Sequence, residues 1–441
     1  MLNSFQNIFK IPELRNRVIF TLSILVVYRI GAHIPVPGID SAAMGEFMRQ
    51  QASTLFGLFD MFVGGALAKA SIFALGIMPY ISASIILQLF TAVFPYFERL
   101  KKEGPEGQKK ITQYTRYGTV GLSALQAWGM AVFIESMNSA GLNVVPEPGW
   151  GFRLLTTLTL TAGTVFVMWL GEQISERGIG NGISLLIFIG IVATFPQGVL
   201  ESVEYFRQGL MSLFQVILLV VLAVLVTAAV IYITQGQRKI PVQYAKQFRG
   251  RKVYGGQSTH IPLRVNTAGV IPIIFAQSLI MFPSTMAAVF RVEWMRVVES
   301  WFAPGAPLYL IVYSLLIIFF AYFYTAIIFN PVDLADNMKR YGGFIPGIRP
   351  GKRTSDYIDR VLTRITLPGA IFLALISIFP YFLIQSIHAP QLLSYNLGGT
   401  GLLIVVGVGL DTLQQIETHL LMRHYDGFMK KGKIRGRIGR G

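Results

Sequence analysis

Ile365 to Leu410 reads ITLPGAIFLALISIFPYFLIQSIHAPQLLSYNLGGTGLLIVVGVGL, 46 residues without an Asp, Glu, Lys or Arg. A helix crossing a hydrocarbon core of about 30 Å needs about 20 apolar residues, so the stretch holds two spans. Its middle supplies the break, because Pro380, His388, Pro390, Asn396, Gly398 and Gly399 cluster there and such residues favour turns. The reading predicts membrane helices near 365–387 and 396–419.

The rest of the chain repeats the pattern. Charge-poor stretches at about 18–34, 71–97, 117–134, 154–171, 183–200, 208–237, 265–290 and 300–332 bring the total to ten spans. The predicted fold class is an all-α polytopic membrane protein of ten transmembrane helices. Composition agrees: 53% of the 441 residues are apolar, 14% are charged and the mean hydropathy is +0.55, against roughly 25% charged in a soluble domain. The absence of cysteine removes disulfide frameworks, thiolate metal sites and cysteine nucleophiles. No cleavable signal peptide is evident, since no small-residue cleavage pattern follows the first apolar run.

A formal charge of +16 invites a nucleic-acid reading until the charges are located. With a cytoplasmic N-terminus, the inside segments (1–17, 98–116, 172–182, 238–264, 333–364 and 421–441) hold 31 of the 38 Lys and Arg, against 11 acids. The outside segments hold six basic residues and nine acids. Lys and Arg accumulate on cytoplasmic loops, so both termini are predicted inside. Two loops stand out as docking surfaces: 235–264 with seven basic residues and no acid, and 330–364 with seven basic and four acidic. A basic tail covers 421–441.

Catalytic signals are sparse. There is no Walker A loop, HExxH or GxSxG, and Gly178-Ile-Gly180-Asn-Gly182 lacks dinucleotide-binding spacing. The five histidines are scattered, so no metal site is expected, nor any cofactor. Asp411 lies in the last span, but intramembrane aspartyl chemistry needs a second acid sharing its proton, and Glu417 stands almost two turns away. The chain is expected not to be an enzyme. A secondary transporter for small solutes is the rival, although the mid-membrane zone lacks the charges that ion coupling usually keeps; carbonyls of broken helices could still bind sodium.

The membrane centre instead holds isoleucine. Ile77, Ile81 and Ile85 recur every fourth residue on the second span, one stripe of a helix. Lipid-facing or core packing explains such a stripe by itself. The small and polar neighbours Gly76, Pro79, Tyr80, Ser82, Ser84 and Gln88 suit packing against helices or an aqueous path better than lipid. Residues 55–70, with Phe56, Phe59, Asp60, Phe62, Gly64 and Gly65, are too short to span and read as an interfacial or re-entrant element; re-entrant backbone survives only against protein or water.

Several runs resemble the SecY family of bacterial protein-translocase channels. They are Ala70-Ser-Ile-Phe-Ala-Leu-Gly-Ile-Met-Pro-Tyr-Ile-Ser-Ala-Ser84, Gly171-Glu-Gln-Ile-Ser-Glu-Arg-Gly-Ile-Gly-Asn-Gly-Ile-Ser184, Tyr114-Thr-Arg-Tyr-Gly118, Gln257-Ser-Thr-His-Ile-Pro262, Ala268-Gly-Val-Ile-Pro272, Phe329-Asn-Pro331, Pro346-Gly-Ile-Arg-Pro-Gly351 and Gly398-Gly-Thr400. They keep the family order along nearly the whole chain.

The resemblance implies two pseudo-symmetric inverted halves of five spans, 1–200 and 201–441, around a central hourglass pore. It assigns a pore ring to Ile77, Ile81, Ile187, Ile274 and Ile404, and a sixth position stays unassigned. A narrow ring of such side chains dewets and blocks ions. Residues 55–70 become the plug of the outer funnel. A lateral gate is implied between spans two and three and spans seven and eight, with Ser82, Gln88, Asn266 and Phe282 as candidates. The basic loops become docking surfaces at Arg251, Lys252 and Arg349. Implied partners are SecE and SecG subunits, the SecA ATPase, the ribosome, secretory polypeptides with their signal sequences, and membrane lipids. The implied location is the bacterial inner membrane.

Overall fold

A computed structural model describes residues 11–50, 55–138, 144–244, 247–249, 252–254, 258–266, 269–277, 279–280, 301 and 305–431. The charge-free stretch 365–410 folds into two helices, as its length requires. Span nine is Lys352–Phe382, continued by a π-helical turn Leu383–Ile387 and stopped at His388, whose φ of 57° lies in the left-handed region. Span ten is Gly399–Lys431. The connection holds a further short helix, Gln391–Leu397, with Ser394, Tyr395 and Asn396 buried.

The other spans are Pro12–Gly31, Met78–Val93, Pro105–Asn138, Trp150–Arg177, Gly182–Arg207 and Leu213–Gln235 for one to six, and Pro307–Ile328 for eight. Span seven is seen at its helical start, 271–277. Among the described residues seven helices are long and apolar enough to cross a bilayer, or eight when Met78–Thr91 and Pro95–Lys102, bent by 95°, count as one. Spans one and seven complete the ten: the first carries Glu13, Arg15, Arg17 and Arg29 at its two ends, and the second is described only at 271–277 and 279–280.

Helix ends depart from the charge gaps for local reasons. Span two begins at Met78, not near 71, because Gly76 has φ 54° and Pro79 starts the helix; proline suits a first turn. It stops at Phe94, which is extended (φ −98°, ψ 123°) ahead of Pro95, as residues before proline prefer. Spans three and nine start about a dozen residues earlier than predicted, because charged residues are compatible with a helix once it leaves the bilayer. Span six buries only Leu219 and Val230 and turns the rest of its apolar surface outward.

The two basic loops contain an unexpected sheet. Strands β1 (Gln237–Tyr244) and β4 (Ser258–Arg264) pair antiparallel, Gln237 against Arg264 through Gln243 against Ser258. Between them β2 (Gln247–Arg249) and β3 (Lys252–Tyr254) form a small hairpin. Strand β5 (Gly343–Phe344), from the second loop, adds to the free edge of β1, so both basic loops share one sheet ordered β4-β1-β5. Its apolar side, Ile240, Val242 and Leu263, packs on Met338, Ile345, Ile358 and Leu362. That alternation of buried and exposed residues is what a one-sided sheet demands. The all-α description therefore holds for the membrane part.

The largest core lies at the centre of the membrane bundle. It gathers Ile24, Tyr28, Phe62, Ile77, Ile187 and Ile404, with residues of spans four, eight and nine around them.

Candidate pore and its plug

Four helical elements deliver five isoleucines to one place. Ile77 is the N-cap residue of span two and Ile81 follows one turn later; Ile187, Ile274 and Ile404 arrive on spans five, seven and ten. All five line a cavity of about 20 Å³, together with Tyr28, Phe62, Val63, Met78, Leu186 and Gln277. A cavity needs about 10–15 Å³ to hold one water, so the space is one water wide and its wall is mostly hydrocarbon. Ile77, Ile187 and Ile404 are buried, while Ile81 and Ile274 are half-buried.

Ile85, on the same sequence stripe, does not join them. Four residues advance a helix by roughly 40° more than a full turn, and by Ile85 the stripe has rotated away. It packs instead with Ile271 and Phe275 of span seven and Phe320 and Tyr324 of span eight. Phe275 meets the rings of Phe320 and Tyr324 edge-on, at 5.5 and 5.9 Å. This apolar seam between span two and spans seven and eight involves none of the gate candidates named from the sequence; the signal available was the Ile85 position on the isoleucine stripe.

Residues 55–70, expected to be the plug, open with a short helix, Leu55–Val63, followed by turns at Gly64 (φ 71°) and Gly65 (φ 80°). Phe62 and Val63 reach the cavity. Phe59 is half-buried against Val63 and Ala66, and the Phe56 side chain lies outside the described residues. The plug sits hard against span five: a Cβ on Gly190 would fall 2.8 Å from the Phe62 carbonyl oxygen, and one on Gly64 would fall 2.8 Å from Gly190 Cα. Only glycines permit that approach of backbone to backbone.

Polar contacts hold this segment as well. Arg29 at the end of span one donates to the Gly64 carbonyl at 3.0 Å. The Asp60 Oδ1 accepts from the N–H of Leu67 at 2.8 Å and of Ala68 at 2.9 Å, clamping the turn after the helix. Burial pushes the Asp60 carboxyl above its ordinary value, against the pull of these donors and of Lys69. Lys69 donates to His33 Nε2 at 2.6 Å, and His33 Nδ1 donates to the Arg29 carbonyl at 2.8 Å. Burial and then the nearby Arg29 charge hold the Lys69 ammonium below its ordinary value. Asp60→Asn, which keeps a neutral Oδ1 acceptor, should leave the plug seated. Asp60→Ala should weaken the seat by about 1–2 kcal/mol, as losing a cap does, read as faster protease cleavage or thiol labelling in 64–70.

The remaining candidates are dispersed. Gln88 donates within its own helix to Ser84 Oγ at 3.3 Å, Ser82 is half-buried on span two, and Asn266 is half-buried in the turn entering span seven. Phe282 and Arg251 lie outside the described residues. Lys252 is on β3. Arg349 is exposed in a turn after Gly347 (φ 82°), and its carbonyl accepts from Thr354 Oγ1 at 2.9 Å. Asp411 is exposed, 3.8 Å from Arg264 Nη1.

Comparison with known proteins shows the family and the fold. The protein translocase subunit SecY of Escherichia coli strain K12 is 48% identical over 428 residues, covering 96% of each chain. A solved structure concerning the SecY plug domain, said there to stabilise the closed channel and maintain a membrane seal, superposes with a TM-score of 0.64 at 18% identity, covering 92% of each chain. Sec61 in a canine ribosome-channel complex superposes with a TM-score of 0.60 at 17% identity, covering 93% of this chain and 96% of that one. At such identities these structures establish a shared fold, the ten-helix channel architecture. The SecY family model matches residues 71–413, and with near-complete coverage at 48% identity the chain belongs to the SecY family.

Proposed function

We propose that the chain is the channel-forming subunit of a bacterial protein translocase. It passes unfolded secretory polypeptides across the inner membrane through the isoleucine-lined waist. The observation that carries this reading is the convergence of Ile77, Ile81, Ile187, Ile274 and Ile404 on one cavity beneath a plug seated on glycine. An aliphatic constriction excludes ions by dewetting, and flexible side chains can close around a peptide of any sequence.

Two halves, 1–200 and 201–441, open like a hinged pair. Apolar signal sequences leave between span two and spans seven and eight, where the Ile85 seam is closed by apolar contacts alone and can exchange them for lipid or for another helix; Ser82, Gln88, Asn266 and Phe282 border this exit. The sheet uniting the two basic loops is the platform for SecA or a translating ribosome, with Arg251, Lys252 and Arg349 presented to the partner. Solved relatives of this fold include a ribosome-channel complex. Contact with ribosomal RNA through such charges weakens with added salt. SecE and SecG complete the membrane complex, both termini face the cytoplasm, and energy comes from the partners.

Crosslinking tests the path. An arrested secretory chain should react with photoprobes placed at Ile81, Ile187 and Ile404, one at a time. Reaction spread over the outward surface of span six, with none at those three positions, would place the path elsewhere.

A further inference from the structure

The waist cavity has one wall made of amide. Gln277 borders it and also borders a second cavity, of about 10 Å³, lined by Tyr309, Tyr313, Ser377, Tyr381 and Tyr395. An amide at a hydrophobic constriction works against the seal. Dewetting depends on a lining that offers water nothing to bind, and a carboxamide offers two donors and an acceptor.

The amide oxygen is held by a residue that lines the second cavity and not the waist. The Tyr313 hydroxyl donates to Gln277 Oε1 at 3.3 Å, both residues being buried. Tyr313 is itself fixed: its ring stacks on Tyr309 at 5.5 Å, and the Tyr309 hydroxyl accepts from Tyr381 at 3.1 Å. Tyr381 in turn meets Tyr395 edge-on. A run of tyrosines thus links span eight, span nine and the short helix before span ten. The other polar group at the waist, the Tyr28 hydroxyl, is also engaged, donating to the Val63 carbonyl at 3.5 Å.

We propose that Tyr313 is a positioning residue of the closed channel: it holds the Gln277 amide off the isoleucine ring and so keeps the waist dry. The inference rests on the cavity being the pore waist. It leads to a result that packing alone does not. Tyr313→Phe keeps the ring and removes the hydroxyl, leaving the amide to turn toward the cavity. Gln277→Leu removes the amide, after which the hydroxyl has nothing left to restrain.

The test is the potassium chloride conductance of the resting channel, purified with its partner subunits and placed in planar bilayers, with Ile404→Asn run in parallel. Tyr313→Phe should raise the leak roughly tenfold, in line with the effect of stripping a buried polar group of its partner. Gln277→Leu should leak no more than the parent, and the double variant should return to the parent level. A double variant as leaky as Tyr313→Phe overturns the proposal in favour of packing. Leak from Ile404→Asn without leak from Tyr313→Phe overturns it while the waist reading stands; no leak from either overturns both. Where Tyr313→Phe does not assemble, Gln277→Leu decides alone, since a leak above the parent's contradicts the idea that the amide is the group to be restrained.

Discussion

Replacing Ile404 by Asn should convert the resting channel into a steady ion leak. Ile404 is 1% exposed and borders the waist cavity. A buried isoleucine contributes about 2 kcal/mol through the apolar surface it keeps from water, and that loss alone shifts the balance between dry and wet waist by about thirtyfold. Asn adds donors and an acceptor facing the cavity, so the shift is a lower bound. Ile404→Val, which keeps the constriction aliphatic, should stay close to the parent. Resting conductance reads the difference directly, and equal conductance for Asn and the parent would move the seal to other residues.

The second large effect is expected at Gly190. A Cβ there meets the Phe62 carbonyl oxygen at 2.8 Å and the Gly64 nitrogen at 3.4 Å. Both are backbone atoms, so no rotamer change makes room. Gly190→Val should force the plug from its seat, an overpacking of about 1–3 kcal/mol, without touching the plug's own sequence. The chain has no cysteine, so a single one at Ala66, fully buried in the turns that follow the plug helix, reports on it cleanly. Thiol labelling from the outer side should be slow in the parent background and at least several-fold faster with Gly190→Val. Unchanged labelling would mean the plug tolerates the side chain and is not held by this contact.

Much of the architecture was legible because the bilayer imposes one simple rule on sequence. Every span must be apolar for about 20 residues, so gaps between charges located helices wherever lipid surrounds them. The same rule falls silent outside the membrane. It gave no hint that span three reaches back to Pro105 or span nine to Lys352, because in water a charged helix is unremarkable to a hydropathy count. The sheet was missed for a related reason. Arg238-Lys-Ile-Pro-Val-Gln243 and Thr259-His-Ile-Pro-Leu-Arg264 alternate buried and exposed positions, a period of two that a search for long apolar runs passes over.

The candidate site divides along the same line. The isoleucines were found through resemblance, and the structure places all five around one cavity. Their stripe on span two was visible, but which member leaves it was not, since that depends on helical drift measured against a fixed neighbour. Gln277 and Tyr313 gave no sequence signal. An amide in one apolar run and a phenol in another, 36 residues apart, become a pair only when spans seven and eight pack side by side. The Gly64–Gly190 contact is equally invisible along the chain, as it joins a glycine named in the plug to one on span five that carried no signal, through backbone approach.

The narrowness of the waist has an electrical consequence. A membrane potential drops mostly across the most insulating layer on the path, and in the proposed channel that layer is the isoleucine ring with the end of the 55–63 helix beside it. A charged residue in a passing polypeptide therefore experiences most of the voltage over a few residues of travel, at about 2.3 kcal/mol per charge for each 100 mV. Acidic residues are pulled toward a positive exterior and basic ones are held back, so the waist acts as a rectifier that reads the sign of each side chain as it goes by.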